Sequence, residues 1–267
     1  MVKRLLLVNL ALFGLLALLA LLIGRELAPR APADRLSELS AEQVGRIVIE
    51  RDGGDMLRLV RDRQRWRLVE PRALPASEFH VASVLALLEA PVGARYPVAQ
   101  MDLEALGLSR PRLRLRLGDQ AFVFGDIEPL SRQRYLLHGD QVLLIQDSVS
   151  PLLRGPWWNF IDRSLLGVTD EIVAIELADG RMLLGPPLHE LLNRWRAASA
   201  RIVQPMQPAE AALGDELVMR LASGEQMRWR LVDGEQPRLL RADLELAYHI
   251  DSPTLAHLSA PPSDAID

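Results

Sequence analysis

Hydrophobic positions along the chain fall into two regimes. Over residues 5–23 they run unbroken except for Asn9 and Gly14. At about 1.5 Å per residue, a helix of this length approaches the roughly 30 Å hydrocarbon core of a bilayer. The run exceeds the roughly 7–15 apolar residues of a cleaved signal peptide. Ala31-Pro32-Ala33 resembles a small-residue cleavage site, but it lies far beyond Ile23 and has proline at its centre. The pattern therefore predicts a retained transmembrane anchor over 5–23, a cytoplasmic tip over 1–4 and a stalk over 24–42, where Pro29 and Pro32 interrupt small and polar residues.

From Val44 the pattern shortens to strands with turn signals. Ile47-Val48-Ile49, Asp52-Gly53-Gly54, residues 56–60 and residues 65–69 suit an antiparallel meander. Ser77 then offers an N-cap to a helix whose Val81, Val84, Leu85 and Leu88 repeat at i, i+3, i+4 and i+7. Residues 112–117 alternate arginine with leucine, as a half-buried strand does. Further strands are predicted over 121–124, 135–137 and 142–145.

The same order recurs. Residues 173–177 with Asp179-Gly180 repeat the opening strand and turn, and Leu188, Leu191, Leu192 and Trp195 repeat the helical stripe. Residues 217–221, 227–231, 238–240 and 246–250 repeat the later strands. Asp147-Ser148 and Asp251-Ser252 each precede a short terminal helix. The expectation is an α+β fold, an N-terminal transmembrane helix followed by a duplicated unit of antiparallel strands with one main helix per copy. The first repeat would cover 43–155, an aromatic link 156–167, a shorter second repeat 168–259 and a tail 260–267. The second repeat has no counterpart of the Trp66 strand.

Charge changes this picture little. A formal net charge of -4, with Lys3 the one lysine, argues against nucleic acid as a partner. No cysteine is present, so disulfides and thiolate chemistry are excluded. Lys3 and Arg4 precede the apolar run while Arg25, Arg30 and Arg35 follow it, so positive charge alone does not orient the anchor. The short basic start reads as a signal-anchor, and long domains translocate largely regardless of charge. The body is therefore expected outside the cytoplasm.

Four groups of residues carry a resemblance. They are Trp66-Arg67-Leu68 with Pro71; Asp102-Leu103 with Gly107-Leu108 and Pro111; Phe124-Gly125-Asp126 through Pro129 to Arg134-Tyr135; and Phe160-Ile161-Asp162-Arg163 with Leu165-Leu166. In this order they resemble the bacterial family catalogued as domain of unknown function 4340. The resemblance implies a cytoplasmic-membrane anchor, an envelope-facing body and, for some members, ABC-transporter or gliding-type neighbours. It supplies no catalytic residues. Physically these residues read as structure: Gly107 and Gly125 as backbone shapes favouring glycine, Pro111 as a stop before an edge strand, and Trp66 and Tyr135 as core filling.

Candidate chemistry is sparse. His80, His138, His189, His249 and His257 form no metal-helix spacing, and the nucleophile-elbow and phosphate-loop motifs are missing. Asp102/Glu104 and Asp215/Glu216 are carboxylate pairs that serve a glycosidase only across a cleft. No catalytic residue, metal or cofactor is expected. Candidate partner contacts are Trp157, Trp158 and Phe160, read either as an exposed patch or as a wedge between the repeats, and Arg112, Arg114 and Arg116 on one strand face. The reading is a non-catalytic accessory or scaffold subunit of a bacterial cell-envelope membrane complex. It would be anchored by 5–23 in the lipid bilayer of the inner membrane, with an ABC-type permease as partner. An envelope polysaccharide or peptidoglycan binding module is the alternative, and a hydrolase the third class.

Overall fold

The computed structural model describes residues 35–54, 56–166 and 171–260. The expected anchor and most of the stalk lie outside these residues, as do 261–267 of the tail. Among the described residues no helix is long and apolar enough to cross a membrane.

Two antiparallel sheets dominate the body, with few helices. The first has nine strands, beginning with β1 (Arg46–Arg51), β2 (Leu57–Asp62), β3 (Arg65–Glu70) and β4 (Leu74–Pro75). Helix α1 (Glu78–Leu85) and β5 (Val92–Pro97) follow. The hairpin-connected run β6 (Leu113–Leu117), β7 (Gln120–Ile127), β8 (Arg134–His138) and β9 (Gln141–Ile145) then leads to α2 (Ser150–Arg154). The spatial order is β4-β3-β2-β1-β6-β7-β8-β9-β5. Chain segments that precede the β6–β9 meander thus flank it on both sides.

The second sheet contains β10 (Ile172–Glu176), β11 (Met182–Leu183), β12 (Ile202–Pro205), β13 (Asp215–Leu221), β14 (Gln226–Val232), β15 (Arg238–Arg241) and β16 (Leu246–His249). Helix α3 (Gly185–Ala197) lies between β11 and β12, and α4 (Ser252–Ser259) follows β16. Its order, β11-β10-β13-β14-β15-β16-β12, matches β2-β1-β6-β7-β8-β9-β5 position for position. The first sheet adds only β3 and β4, outside β2.

Local chemistry explains the elements. The β1–β6 register places Ile47 opposite Leu117 and Ile49 opposite Leu115. These side chains are buried, while the arginines between them on β6 face solvent. Ser77 caps α1 by accepting from the His80 N–H at 3.4 Å. Leu188, Leu191, Leu192 and Trp195 form the buried stripe of α3. Asp251 accepts from the Thr254 N–H at 2.8 Å to cap α4, and Asp147 accepts from the Ser150 N–H at 2.9 Å at the start of α2.

Several expectations need correction. The body begins at Leu36, not after residue 42: Leu36 is buried, its N–H donates to the Ala90 carbonyl at 3.0 Å, and the Ser37 N–H donates to Leu88 at 3.1 Å. Pro111 precedes β6, which lies between β1 and β7 and is not an edge strand. Tyr135 is half-exposed rather than in the core, because it alternates with the buried Arg134 and Leu136. Gly107 does take a positive φ of 68°. Gly125 does not; a side chain there would meet the Leu106 carbonyl oxygen at 2.4 Å, so close approach excludes a Cβ. Strands β4, β5, β11 and β12 were not foreseen, being short or mixed in polarity.

One hydrophobic cluster runs through both sheets and the helices. The link between the sheets is part of it. Ile161 bridges to Ala76, Ser164 bridges to Ser199, the Ser77 N–H donates to Phe160 and the Ala200 N–H donates to Arg163. The link is thereby stitched to the end of β4 on one side and the start of β12 on the other.

Candidate binding clefts

The link opens with a tight turn. At Gly155 a Cβ would lie 2.7 Å from Asn159 Nδ2 and 3.2 Å from the Leu152 carbonyl oxygen. This turn leads α2 into a 3-10 helix, Trp157–Phe160. Phe160 has no exposed surface and Trp157 is 9% exposed, so both belong to the core, as the wedge reading requires. Trp158 is half-buried, its ring edge-on to Trp157 at 5.8 Å between centroids. Of the three aromatic candidates, Phe160 therefore offers no docking surface.

Trp157 and Trp158 form one side of an open cleft of about 510 Å³, completed by Arg51, Asp52, Gly54, Arg112, Arg154 and Pro156. Arg51 Nε donates to the Leu153 carbonyl at 2.6 Å and ties the end of β1 to the end of α2. The Asp52 N–H donates to the Arg112 carbonyl at 3.0 Å, setting the β1–β2 turn beside the start of β6. The exposed side chains of Arg112 and Arg154 make no hydrogen bond or ion pair among the described residues.

Of the three arginines expected on one face, only Arg112 lines this cleft. Arg114 and Arg116 do project from the same solvated face, and Arg116 pairs with Glu50 at 3.6 Å. Arg51 and Arg154 were not foreseen as neighbours of the tryptophans. Arg154 stands three residues before Trp157, a signal the sequence offered; Arg51 is more than a hundred residues away and offered none.

The corresponding place in the second sheet's strand order holds another cleft of about 510 Å³, between the β10–β11 turn, the start of β13 and α4. Its charged lining is reversed: Asp179, Asp215, Glu216 and Asp233 against Arg181, over Leu177, Leu217, Leu231, Leu255 and Leu258. Arg181 pairs with Asp179 at 2.7 Å, and Glu216 receives Arg230 at 3.2 Å.

A third cleft holds His80, Ser77, Glu78, Asp162 and Ser164 with Arg65 and Arg163. Ser77, Glu78, Asp162 and Ser164 already hold backbone and neighbours. Asp162 Oδ1 accepts from the Ser164 N–H and hydroxyl, each at 3.0 Å, and Glu78 accepts from the Trp66 N–H at 2.9 Å. Burial first, and then the positive charge of Arg163, pushes the His80 imidazole below its usual range. One member of each carboxylate pair, Asp102 and Glu216, is likewise engaged. Asp102 accepts from the Glu104 and Ala105 N–H groups at 3.0 and 3.2 Å, a turn-building role.

Gly125, Asp126 and Arg134 form another local assembly, beside the 102–108 loop. The Asp126 N–H donates to the Leu106 carbonyl at 2.9 Å, and the Arg134 guanidinium donates to the Gly125 carbonyl at 2.6 Å. Arg134 also forms an ion pair with Asp147 in the interior. Searches with family models, among curated proteins and among solved structures return no match to this chain.

Proposed function

We propose that this chain is a non-catalytic accessory subunit of a bacterial cell-envelope membrane complex, held in the inner membrane by residues 5–23 with its body outside the cytoplasm. The partner in this reading is an integral membrane protein, an ABC-type permease being the favoured class. The matching strand orders support reading the body as two copies of one unit, the second lacking β3 and β4. The resemblance to the family catalogued as domain of unknown function 4340 agrees with this reading.

The observation that carries it is the edge formed by β10 and β11. Exposed sheet edges invite pairing with other chains, and proteins commonly blunt them with proline or charge. Three of the four edge strands here contain proline: Pro75 in β4, Pro97 in β5 and Pro205 in β12. The fourth, β11, is Met182-Leu183, and it pairs only with Ile175 and Glu176 of β10. Among the described residues, no strand covers Ile172 to Ala174 on that side. Val173 and Met182 are each 43% exposed and Leu184 59%. An extended segment of a partner could add here as a further strand, using main-chain hydrogen bonds for affinity and these side chains for specificity.

Purification of the full chain from its native membrane in mild detergent tests the proposal. The parent should bring down an integral membrane protein in fixed stoichiometry, and Val173→Lys/Met182→Lys should lose it while unfolding at the same temperature. A lone parent protein, or a folded double variant that keeps the partner, would overturn the proposal.

A further inference from the structure

We infer that the cleft between the β1–β2 turn, the start of β6 and the link is a binding site for an acidic sugar, a pyranose bearing a carboxylate. The inference stands on this cleft and does not depend on the partner edge or the anchor.

The first support is charge. Among the described residues, the exposed guanidiniums of Arg112 and Arg154 line the cleft beside the engaged Arg51 and the carboxylate of Asp52. Arg112 and Arg154 are exposed, and their side chains are engaged by nothing among the described residues. Elsewhere among the described residues some arginines are paired, Arg58 with Glu70 at 3.3 Å and Arg220 with Glu176 at 2.9 Å, and others such as Arg114 are not; Arg112 and Arg154 differ in lining a cleft beside an indole. A planar, always-charged guanidinium matches a carboxylate through two parallel hydrogen bonds, which a lysine ammonium does not offer.

The second support is comparison within the molecule. The corresponding cleft of the second sheet has the same size and is lined by four carboxylates and one arginine. The strand order therefore produces a cleft at this place without dictating its charge. The basic lining belongs to the first cleft's own residues.

The third support is the indole wall. Trp158 is half-buried beside the arginines, held by its edge-on contact with the core residue Trp157. A fixed aromatic surface next to cationic groups suits a ligand with an apolar face and an anionic edge. A pyranose ring offers the first through its C–H groups and a uronate carboxylate the second. A phosphodiester headgroup would use the arginines and leave the indole idle. The volume, about 510 Å³, falls within the roughly 300–1,000 Å³ usual for small-ligand sites.

Calorimetric titration of the full chain, held in phosphatidylcholine nanodiscs, with tetragalacturonate tests the inference at low and moderate salt. Saturable binding is expected, weakened by salt, with maltotetraose binding at least tenfold more weakly. Arg112→Gln/Arg154→Gln should lose at least tenfold in affinity with its unfolding temperature unchanged. Glu216→Gln/Asp233→Asn, in the acidic cleft, should bind as the parent does. The inference is overturned by any of three results: no binding at millimolar tetragalacturonate, equal binding of maltotetraose, or unaltered affinity in the folded arginine variant. Tighter retention on phosphatidylglycerol vesicles than on tetragalacturonate, abolished by the same two substitutions, would assign the cleft to a lipid headgroup instead and would equally overturn it.

Discussion

Asp147, just after β9, joins the start of α2 to β8. Its carboxylate accepts from the Val149 and Ser150 N–H groups at 3.2 and 2.9 Å, from the Ser150 hydroxyl and from the Arg134 guanidinium. Burial alone would push this carboxyl up. The hydrogen bonds from Ser150 and Arg134, with the charge of that guanidinium, outweigh burial and hold it below the usual aspartate range. Because the folded-state pKa is the lower one, this stabilisation is complete above the unfolded-state value of about 3.9 and is lost as pH falls through the folded-state value. Asp147→Asn leaves Arg134 buried without its counter-charge and should cost about 3–5 kcal/mol at neutral pH. Urea unfolding from pH 7 down to pH 2 should show the gap between parent and variant narrowing as the parent's carboxylate protonates. A gap independent of pH would mean that the charge of Asp147 is not what stabilises the fold. In the sequence Asp147 reads as a helix cap; it stands two residues before the N-cap, Val149, and accepts from the Val149 and Ser150 N–H groups. Its pairing with Arg134 was not legible, because nothing in the pattern of β8 marks an arginine as inward-facing.

At the scale of elements, strong periodicity was the reliable signal. The α3 stripe and the β6 alternation recur in the structure residue for residue, since both follow from one buried face. Leu191→Ala on α3 should therefore cost about 2–5 kcal/mol through lost burial and a residual cavity. Asn193→Ala, on the exposed side of the same helix, should stay within about 0.5 kcal/mol of the parent. Denaturant titration of the two variants measures the difference, and similar costs would contradict the assigned face. Strands β5 and β12 escaped notice for a physical reason. Each is an edge strand with few buried positions, Val92-Gly93-Ala94-Arg95-Tyr96-Pro97 and Ile202-Val203-Gln204-Pro205, so neither shows a period of two. Only pairing with β9 and β16 defines them. The basic cleft was half-legible for a similar reason. Arg112, Trp157 and Trp158 stand out in the sequence and Arg154 lies three residues before Trp157, whereas Arg51 joins them through tertiary packing.

Across the whole body, one apolar cluster connects the two sheets through the link. Phe160 lies in it without exposed surface, and Phe160→Ala should cost about 3–5 kcal/mol. Scanning calorimetry should show one transition for the body, shifted down in that variant. Two resolved transitions in the parent would mean that the sheets unfold separately and that the link is only a tether. The order of the two strand sets was readable from the spacing of hydrophobic runs; the consequence of the shorter second set was not, because an open edge exists only once strands are paired. The proposed role rests on that edge. It is tested most directly by placing a photo-reactive amino acid at Met182, and as a control at the exposed turn residue Asp119, in cells carrying the full chain. Irradiation should join position 182 to a single integral membrane protein and leave position 119 without that product. Equal products from both positions, or none from 182, would contradict the account.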